Sequence, residues 1–153
     1  MQDLKIDYFM SEALRMAELA LQNDEVPVGA VVTKNDQIIG TGFNQVIANN
    51  SVASHAEINA INDASKNIQN YRLRDCSIFV TLEPCHMCAK AIADARLSSL
   101  YFGATEPKTG AIESIDQFLV RDHLNHKVLF SGGYLQEQSV ALLREFFQSK
   151  RKN

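Results

Sequence analysis

The sequence has no tryptophan, three prolines, three cysteines and no excess of positive charge. Three cysteines cannot form a complete disulfide framework, which argues against a disulfide-stabilised secreted scaffold. Affinity for nucleic acid without sequence preference comes mainly from neutralising phosphates. The formal net charge of -3 therefore argues against an avid binder of that kind, although it leaves room for a local basic patch.

Long apolar segments are also missing. No run approaches the roughly 18 apolar residues that cross a bilayer, and the first residues lack the basic and then apolar pattern of a signal peptide. We therefore expect a soluble, cytoplasmic protein without a membrane partner. With 46% hydrophobic and 22% charged residues, no repeat and no linker, the 153 residues predict one domain, 1–153.

The order of periodic segments predicts an α/β fold. Helical patterns cover 7–22, 54–67, 85–96, 135–153 and, more weakly, 114–124, whereas strand patterns cover 28–33, 38–43, 76–81, 97–104 and 127–133. The polar turn at 34–37 joins the first two strands into a hairpin, and Pro84 is expected in the first turn of a helix. A hairpin followed by alternating helices and strands predicts a three-layer α/β/α domain with a mixed five-stranded sheet.

The stretch EPCHMCAK, residues 83–90, contains a candidate metal site. Cys85 and Cys88 supply two thiolates, and a tetrahedral zinc site needs at least one more protein ligand. Cys76 lies in an apolar strand pattern and is predicted to be a buried small hydrophobe. His86 is adjacent to Cys85, but on a helix it points about 100° away from it, so we expect a partly exposed residue without a catalytic role.

His55 is the favoured third ligand. Together with Glu57 it begins a helix after a loop, as the cysteine pair does, and loops at the ends of neighbouring elements meet in an α/β fold. One histidine and two cysteines leave the fourth zinc position open for water, as in catalytic zinc sites. Glu57 can then take a proton from that water and pass it to a leaving group.

Two alternatives remain open. The pattern Ser54-x-x-Glu57 is also a capping box, which would need the glutamate only to start a helix. In addition, Cys85 and Cys88 could form a structural zinc site with His123 and His126, in a module without catalysis. The gap between the two pairs is far wider than the roughly 12 to 15 residues typical of zinc fingers.

The pattern HxE followed by PCxxC resembles the signature of the zinc-dependent cytidine and nucleobase deaminases. Over nearly its whole length the chain further resembles the bacterial tRNA-specific adenosine deaminase family. The supporting stretches are EVPVGAVV at 25–32, Asn44, HAEINAI at 55–61, NYRL at 70–73, VTLEPCHMCAKAI at 80–92 and FGATEPKTGA at 102–111.

This resemblance implies a cytidine deaminase-like fold and one Zn²⁺ per subunit, held by His55, Cys85 and Cys88, with Glu57 moving protons. The implied reaction is hydrolysis of the wobble adenosine of a tRNA anticodon to inosine by a homodimer. The resemblance and the residue types suggest substrate contacts at Asn44, Pro27, Val28, Ala56, Leu82, Glu106, Lys108 and Phe147. A deaminase of free guanine or cytosine shares the signature and remains the alternative.

An anticodon stem-loop would need aromatic side chains for its unstacked bases and cations for its phosphates. The candidates are Phe146, Phe147, Lys150, Arg151, Lys152, Lys108, Arg72 and Arg74. Glu106 stands where the resembled family commonly has an aspartate, so its contact to RNA is expected to differ in reach.

Overall fold

The computed structural model describes residues 3–151. Its elements are, in chain order, α1 (Asp3–Gln22), β1 (Gly29–Lys34), β2 (Gln37–Phe43), α2 (Ala56–Ile68), β3 (Cys76–Leu82), α3 (His86–Asp94), β4 (Ser99–Ala104), a 3-10 turn (Phe118–Val120), β5 (Leu129–Ser131) and α4 (Gln136–Arg151). The strand order is β2-β1-β3-β4-β5. Strand β1 is antiparallel to β2 and β3, whereas β3, β4 and β5 are parallel. The predicted α/β fold with a mixed five-stranded sheet is confirmed.

Alternation along the central strands separates two helical layers. Val31 and Phe79 pack with α1, whereas Val32, Ile78 and Val80 pack with residues of α2 and α3. Successive side chains of a strand point to opposite faces, so strands covered on both sides become almost continuously apolar. Helix α4 contacts α1, β3 and β4. These contacts complete the predicted three-layer arrangement.

Helix α2 lies unusually close to the edge of the sheet. A Cβ atom added to Gly40 would lie 2.5 Å from the backbone nitrogen of Ala64, and one added to Gly42 would lie 2.4 Å from that of Ala60. Only glycine permits this approach. The helix is thereby held against β2, with its first residues beside the candidate site.

Several predicted boundaries were wrong. The expected helix over 114–124 is only the three-residue turn at Phe118–Val120, α1 begins four positions earlier than expected, and β5 has three residues. Pro84 lies just before the residue that caps α3, outside the helix.

Cys76 is buried, as predicted. Lys152 lies outside the described residues. Within residues 3–151, no helix is long and apolar enough to cross a membrane.

Candidate metal centre and active cavity

Two helix N-termini converge at the candidate metal centre. His55 is the capping residue of α2 and Cys85 that of α3, both with extended backbones, and neither side chain bonds to its own helix. The side chains are therefore free to face a common point. The N–H groups at the start of each helix add positive potential there, which stabilises thiolates.

The distances between the ligand atoms fit zinc. His55 Nδ1 lies 3.7 Å from Cys85 Sγ and 3.5 Å from Cys88 Sγ, and the three ligand atoms all lie within 4.8 Å of one another. Tetrahedral zinc, with Zn–S bonds of about 2.3 Å and Zn–N bonds of about 2.0 to 2.1 Å, places nitrogen and sulfur about 3.5 Å apart. The structure therefore brings together the three residues proposed as ligands, in an arrangement that could hold a metal ion.

The finger-like alternative is not formed. His126 Nε2 lies 2.7 Å from the carbonyl oxygen of Leu97, and His123 is exposed beside the ring of Phe118. Neither belongs to the group of potential metal ligands found among residues 3–151. Both histidines lie in the loop before β5 and make other contacts there.

The three candidate ligands affect one another's protonation. The Cys88 side chain is the main cause that lowers the pKa of Cys85 to about 3; burial opposes this effect, and the hydrogen bond with His55 reinforces it. The same contact with Cys85, together with burial, raises the pKa of Cys88. The Cys85 contact also raises the pKa of His55. A bound dication would take both cysteines as thiolates and the histidine in its neutral form, so metal binding here would release the protons that Cys88 and His55 hold.

Glu57 is buried in the first turn of α2, with only 4% of its surface exposed. Burial raises its pKa to about 7, although the Glu57 backbone N–H and the positive charge of His55 oppose the rise. A carboxyl group with this pKa can both accept and donate a proton near neutral pH.

The capping-box alternative is not supported. The helix is capped at His55 and not at Ser54. The Ser54 hydroxyl instead accepts a hydrogen bond from the side chain of Asn49 at 2.7 Å and pairs with Asn59 Oδ1 at 3.2 Å. Glu57 is therefore free of the reciprocal contact that a capping box requires.

A cavity of about 330 Å³ adjoins His55 and Cys85, two of the candidate metal ligands. This size lies within the range of small-molecule sites. It is lined by Glu25, Val26, Val28, Asn44, Val46, Ile47, His55, Leu82, Glu83, Cys85, Thr109 and Phe146. A second cavity of about 460 Å³ shares Leu82 with the first and extends along α4. A larger cavity of about 610 Å³, enclosed by residues 119–130, contains none of the metal ligands.

The predicted substrate contacts divide among these places. Val28, Asn44 and Leu82 line the first cavity, whereas Glu106 and Phe147 line the second. Pro27 and Ala56 are buried but line neither cavity, and Lys108 is exposed outside both. Their roles remain predictions.

Asn44 has an unusual environment. Its Oδ1 atom is buried and has no hydrogen-bond partner among the described residues. Leaving a buried acceptor unpaired costs about 1 to 3 kcal/mol. Because the side chain lines the cavity beside the metal ligands, a donor on a bound molecule would remove this cost.

Sequence reasoning missed two buried carboxylates on the cavity wall. Glu25 accepts the N–H groups of Ile47 at 3.1 Å and Ala48 at 2.8 Å, which fixes the loop before α2. Glu83 binds the loop after β4 in a similar way. The available signal was an acidic residue beside apolar ones, Val26 after Glu25 and Leu82 before Glu83, since a carboxylate buried among apolar residues needs hydrogen-bond donors.

Comparison with known proteins gives a consistent result. The sequence matches the MafB19-like deaminase family over residues 5–151. The tRNA-specific adenosine deaminase of Streptococcus pyogenes serotype M1 is 41% identical over 145 residues, which cover 95% of this chain and 85% of that protein. The enzyme of the same name from Haemophilus influenzae is 44% identical over 144 residues, with 94% and 83% covered.

A solved structure from a study of A-to-I editing by tRNA:A34 deaminases at the wobble position superimposes with a TM-score of 0.86 at 39% identity. The match covers 89% of this chain and 99% of that chain. The chain therefore belongs to the MafB19-like deaminase family and to the tRNA-specific adenosine deaminases.

Proposed function

We propose that this protein hydrolyses the wobble adenosine of a tRNA anticodon to inosine and ammonia. The observation that carries the proposal is the convergence of His55, Cys85 and Cys88 beside buried Glu57 and a cavity of about 330 Å³. The names of relatives at 41% and 44% identity support the choice of an adenosine in tRNA.

One zinc ion per chain is the proposed cofactor, held by His55 Nδ1 and the two cysteine sulfurs. Bound there, it would act as a Lewis acid that makes water a nucleophile near neutral pH. The histidine and cysteine donor set and its spacing support zinc over magnesium or calcium, which prefer oxygen ligands.

Glu57 moves the protons of the reaction. It takes one proton from the attacking water and delivers it to N1 while the C–O bond forms at C6 of adenine. It then takes the second proton from the new C6 hydroxyl and delivers it to the departing amine while the C–N bond breaks, which leaves the C6 carbonyl of inosine and releases ammonia. No electrons are exchanged with another reagent. Burial of Glu57 supports this role because it holds the pKa near neutrality.

The cavity walls orient the base. Val28 and Leu82 provide apolar surface for a flipped purine, and Asn44 Oδ1 provides an acceptor for a donor on it. The adjoining cavity, with Phe147 between Arg144 and Arg151, suits neighbouring nucleotides, because bases stack on aromatic rings and cations pair with phosphates. This local basic surface lets a slightly acidic chain bind an anticodon stem-loop.

We further propose that the enzyme is a homodimer in the cytoplasm, as the resemblance to its family implies. Light scattering after size-exclusion chromatography measures the oligomeric state, and a monomer that is fully active would contradict this part.

Inosine formation on an anticodon stem-loop tests the function directly. The zinc-loaded protein should convert a wobble adenosine, and Glu57→Ala should abolish conversion while keeping one zinc per chain. Glu18→Gln, which changes an exposed carboxylate of α1, is the matched control and should stay active. Full activity of Glu57→Ala would contradict the mechanism. Turnover of free guanine or cytosine with none on RNA would assign the chain to the free-base alternative.

A further inference from the structure

Glu83 lies between the sheet and the metal ligands. It follows the last residue of β3 and precedes Pro84 and Cys85, and its side chain is buried, with 3% of the residue exposed. Its own N–H donates to the carbonyl of Ala104 at the end of β4. The backbone of Glu83 is therefore held in place by the sheet, beside the candidate metal centre.

The carboxylate collects donors from one loop, residues 105–114. Oε1 accepts the N–H of Glu106 at 3.0 Å and the hydroxyl of Ser114. Oε2 accepts the N–H groups of Ile112 at 3.0 Å, Glu113 at 2.8 Å and Ser114 at 2.9 Å. A carboxylate has about four lone-pair sites, so these donors saturate it. Glu83 consequently has no acceptor left for a substrate or a proton.

Gly110 supplies independent evidence that the loop is built around this carboxylate. A Cβ atom at Gly110 would lie 2.4 Å from both Cδ and Oε1 of Glu83. The loop also bonds to the backbone next to Glu83, because the N–H of Ala111 donates to the carbonyl of Pro84 at 2.8 Å. Loop 105–114 is therefore wrapped around Glu83.

Residues of this loop reach both cavities. Thr109 lines the cavity beside the metal ligands, and Glu106 and Pro107 line the adjoining one. The exposed part of the loop has no regular secondary structure, so the contacts to Glu83 determine where these residues lie.

We propose that Glu83 is a positioning residue that sets RNA recognition by holding loop 105–114 against the two cavities. The inference rests on the proposed function for its substrate. Glutamine has the same shape as glutamate but replaces one acceptor oxygen by an NH₂ donor, so Glu83→Gln leaves two or three donors of the loop without a partner.

Three measurements on zinc-loaded protein test the proposal: amide hydrogen exchange, zinc content, and KM and kcat on the stem-loop. In Glu83→Gln, we expect exchange to be about tenfold faster at position 106 or at positions 112–114, whichever set faces the new NH₂ group, because each lost charge-assisted hydrogen bond is worth about one decade. KM should rise about tenfold with zinc retained and kcat changed less, since binding is what the loop supports. Glu113→Gln changes an exposed carboxylate of the same loop and should match the unmodified protein.

The outcomes separate the possible roles. A partly unfolded variant would lose kcat in proportion to its active fraction at unchanged KM, and a role in metal binding would lower the zinc content; either result, or unchanged exchange, overturns the proposal. If Glu83→Gln does not fold, Ser114→Ala decides, because it removes one donor and should raise KM about threefold. Absence of both binding and turnover of RNA in the unmodified protein would refute the proposed function, whereas the exchange comparison still tests the anchoring of the loop.

Discussion

The side-chain amide of Asn67 on α2 donates a 2.7 Å hydrogen bond to the carbonyl of Ile39 on the edge strand β2. Two further contacts repeat this pattern: Asn59 Nδ2 donates to Phe43 O at 2.8 Å, and Asp63 Oδ2 accepts from Thr41 N at 2.9 Å. Four helical residues advance about 6 Å and two strand residues about 6.6 Å, so helix and strand stay in register. These side chains satisfy backbone groups that an edge strand would otherwise expose to other chains.

Removing this cover should cost stability and solubility. We expect Asp63→Ala combined with Asn67→Ala to lower the free energy of unfolding by about 1 to 3 kcal/mol, because two hydrogen bonds to the strand are lost. The variant should also self-associate beyond the native oligomer as concentration rises. Urea unfolding and light scattering measure the two effects.

Asn62→Ala is the matched control, because Asn62 is exposed on the same helix. It carries a similar change in helix propensity and should alter stability by no more than about 0.5 kcal/mol. If the double variant were as stable and as soluble as this control, the proposed protection of β2 by the side chains of α2 would be refuted.

Periodicity predicted most of the fold because the helices and strands bury regular apolar faces. It failed for 114–124, where the Glu83 carboxylate, rather than an apolar stripe, organises the start of the segment. A distant hydrogen-bond acceptor leaves no local pattern. Only Leu119 is a buried apolar side chain in the short turn that forms there, which is too little to support a helix.

The convergence of His55, Cys85 and Cys88 was predictable because residue type, spacing and helix starts all pointed to the same place. Another part of the cavity wall was not predictable, since Glu25, Ile47 and Thr109 come from separate loops that meet only in the folded chain. The sequence also could not distinguish Phe146 from Phe147. The rotation of α4 buries the first beside the metal-site cavity and leaves 48% of the second exposed in the adjoining one.

Metal content should depend on His55 and not on the later histidines. His55→Ala removes one of three ligands, so we expect metal analysis to find well under one zinc per chain. His126→Ala removes only the contact to the Leu97 carbonyl and should retain the metal. Loss of zinc in His126→Ala with retention in His55→Ala would instead favour the structural-zinc alternative.

Metal removal should expose one reactive thiol. Cys85 is half-buried and its pKa is lowered, mainly by the Cys88 side chain, whereas Cys88 and Cys76 are buried. After chelation we expect fast labelling of a single cysteine, identified as Cys85 by mass spectrometry, and protection when zinc is added back. Labelling in denaturant should reach all three cysteines. Equal labelling rates with and without zinc would contradict the predicted ligand set.

The exposed pair of His86 and Asp116 predicts a pH effect away from the cavity. His86 Nε2 lies 2.7 Å from Asp116 Oδ2, and this contact is the main cause that lowers the pKa of Asp116. A carboxyl group whose pKa is lower in the folded than in the unfolded chain stabilises the fold at pH values above its unfolded pKa. That contribution is lost as the pH falls through its folded pKa. His86→Ala should therefore raise the pKa of Asp116 toward its ordinary value, as measured by a carboxyl NMR titration.

Lys90→Ala provides the control for this pair. Lys90 lies on the same helix but pairs with Asp94, so the pKa of Asp116 should not change. Zinc content and turnover should stay near normal in His86→Ala, because the side chain points to the loop at Asp116. An unchanged Asp116 titration in His86→Ala would show that the Gln117 N–H and Arg121 hold the carboxylate without His86.

Asn44 should show opposite effects on function and stability. Its Oδ1 atom is buried and has no hydrogen-bond partner within residues 3–151, so Asn44→Ala removes an unsatisfied acceptor and should leave the free energy of unfolding unchanged or slightly higher. The same change removes the acceptor proposed for the base, and we expect KM on the stem-loop to rise by about tenfold or more. Asn49→Ala is the matched control, because that amide already donates to Ser54 Oγ at 2.7 Å. It should lose about 1 kcal/mol of stability with little change in KM. Equal KM values for the two variants would show that Asn44 does not contact the substrate.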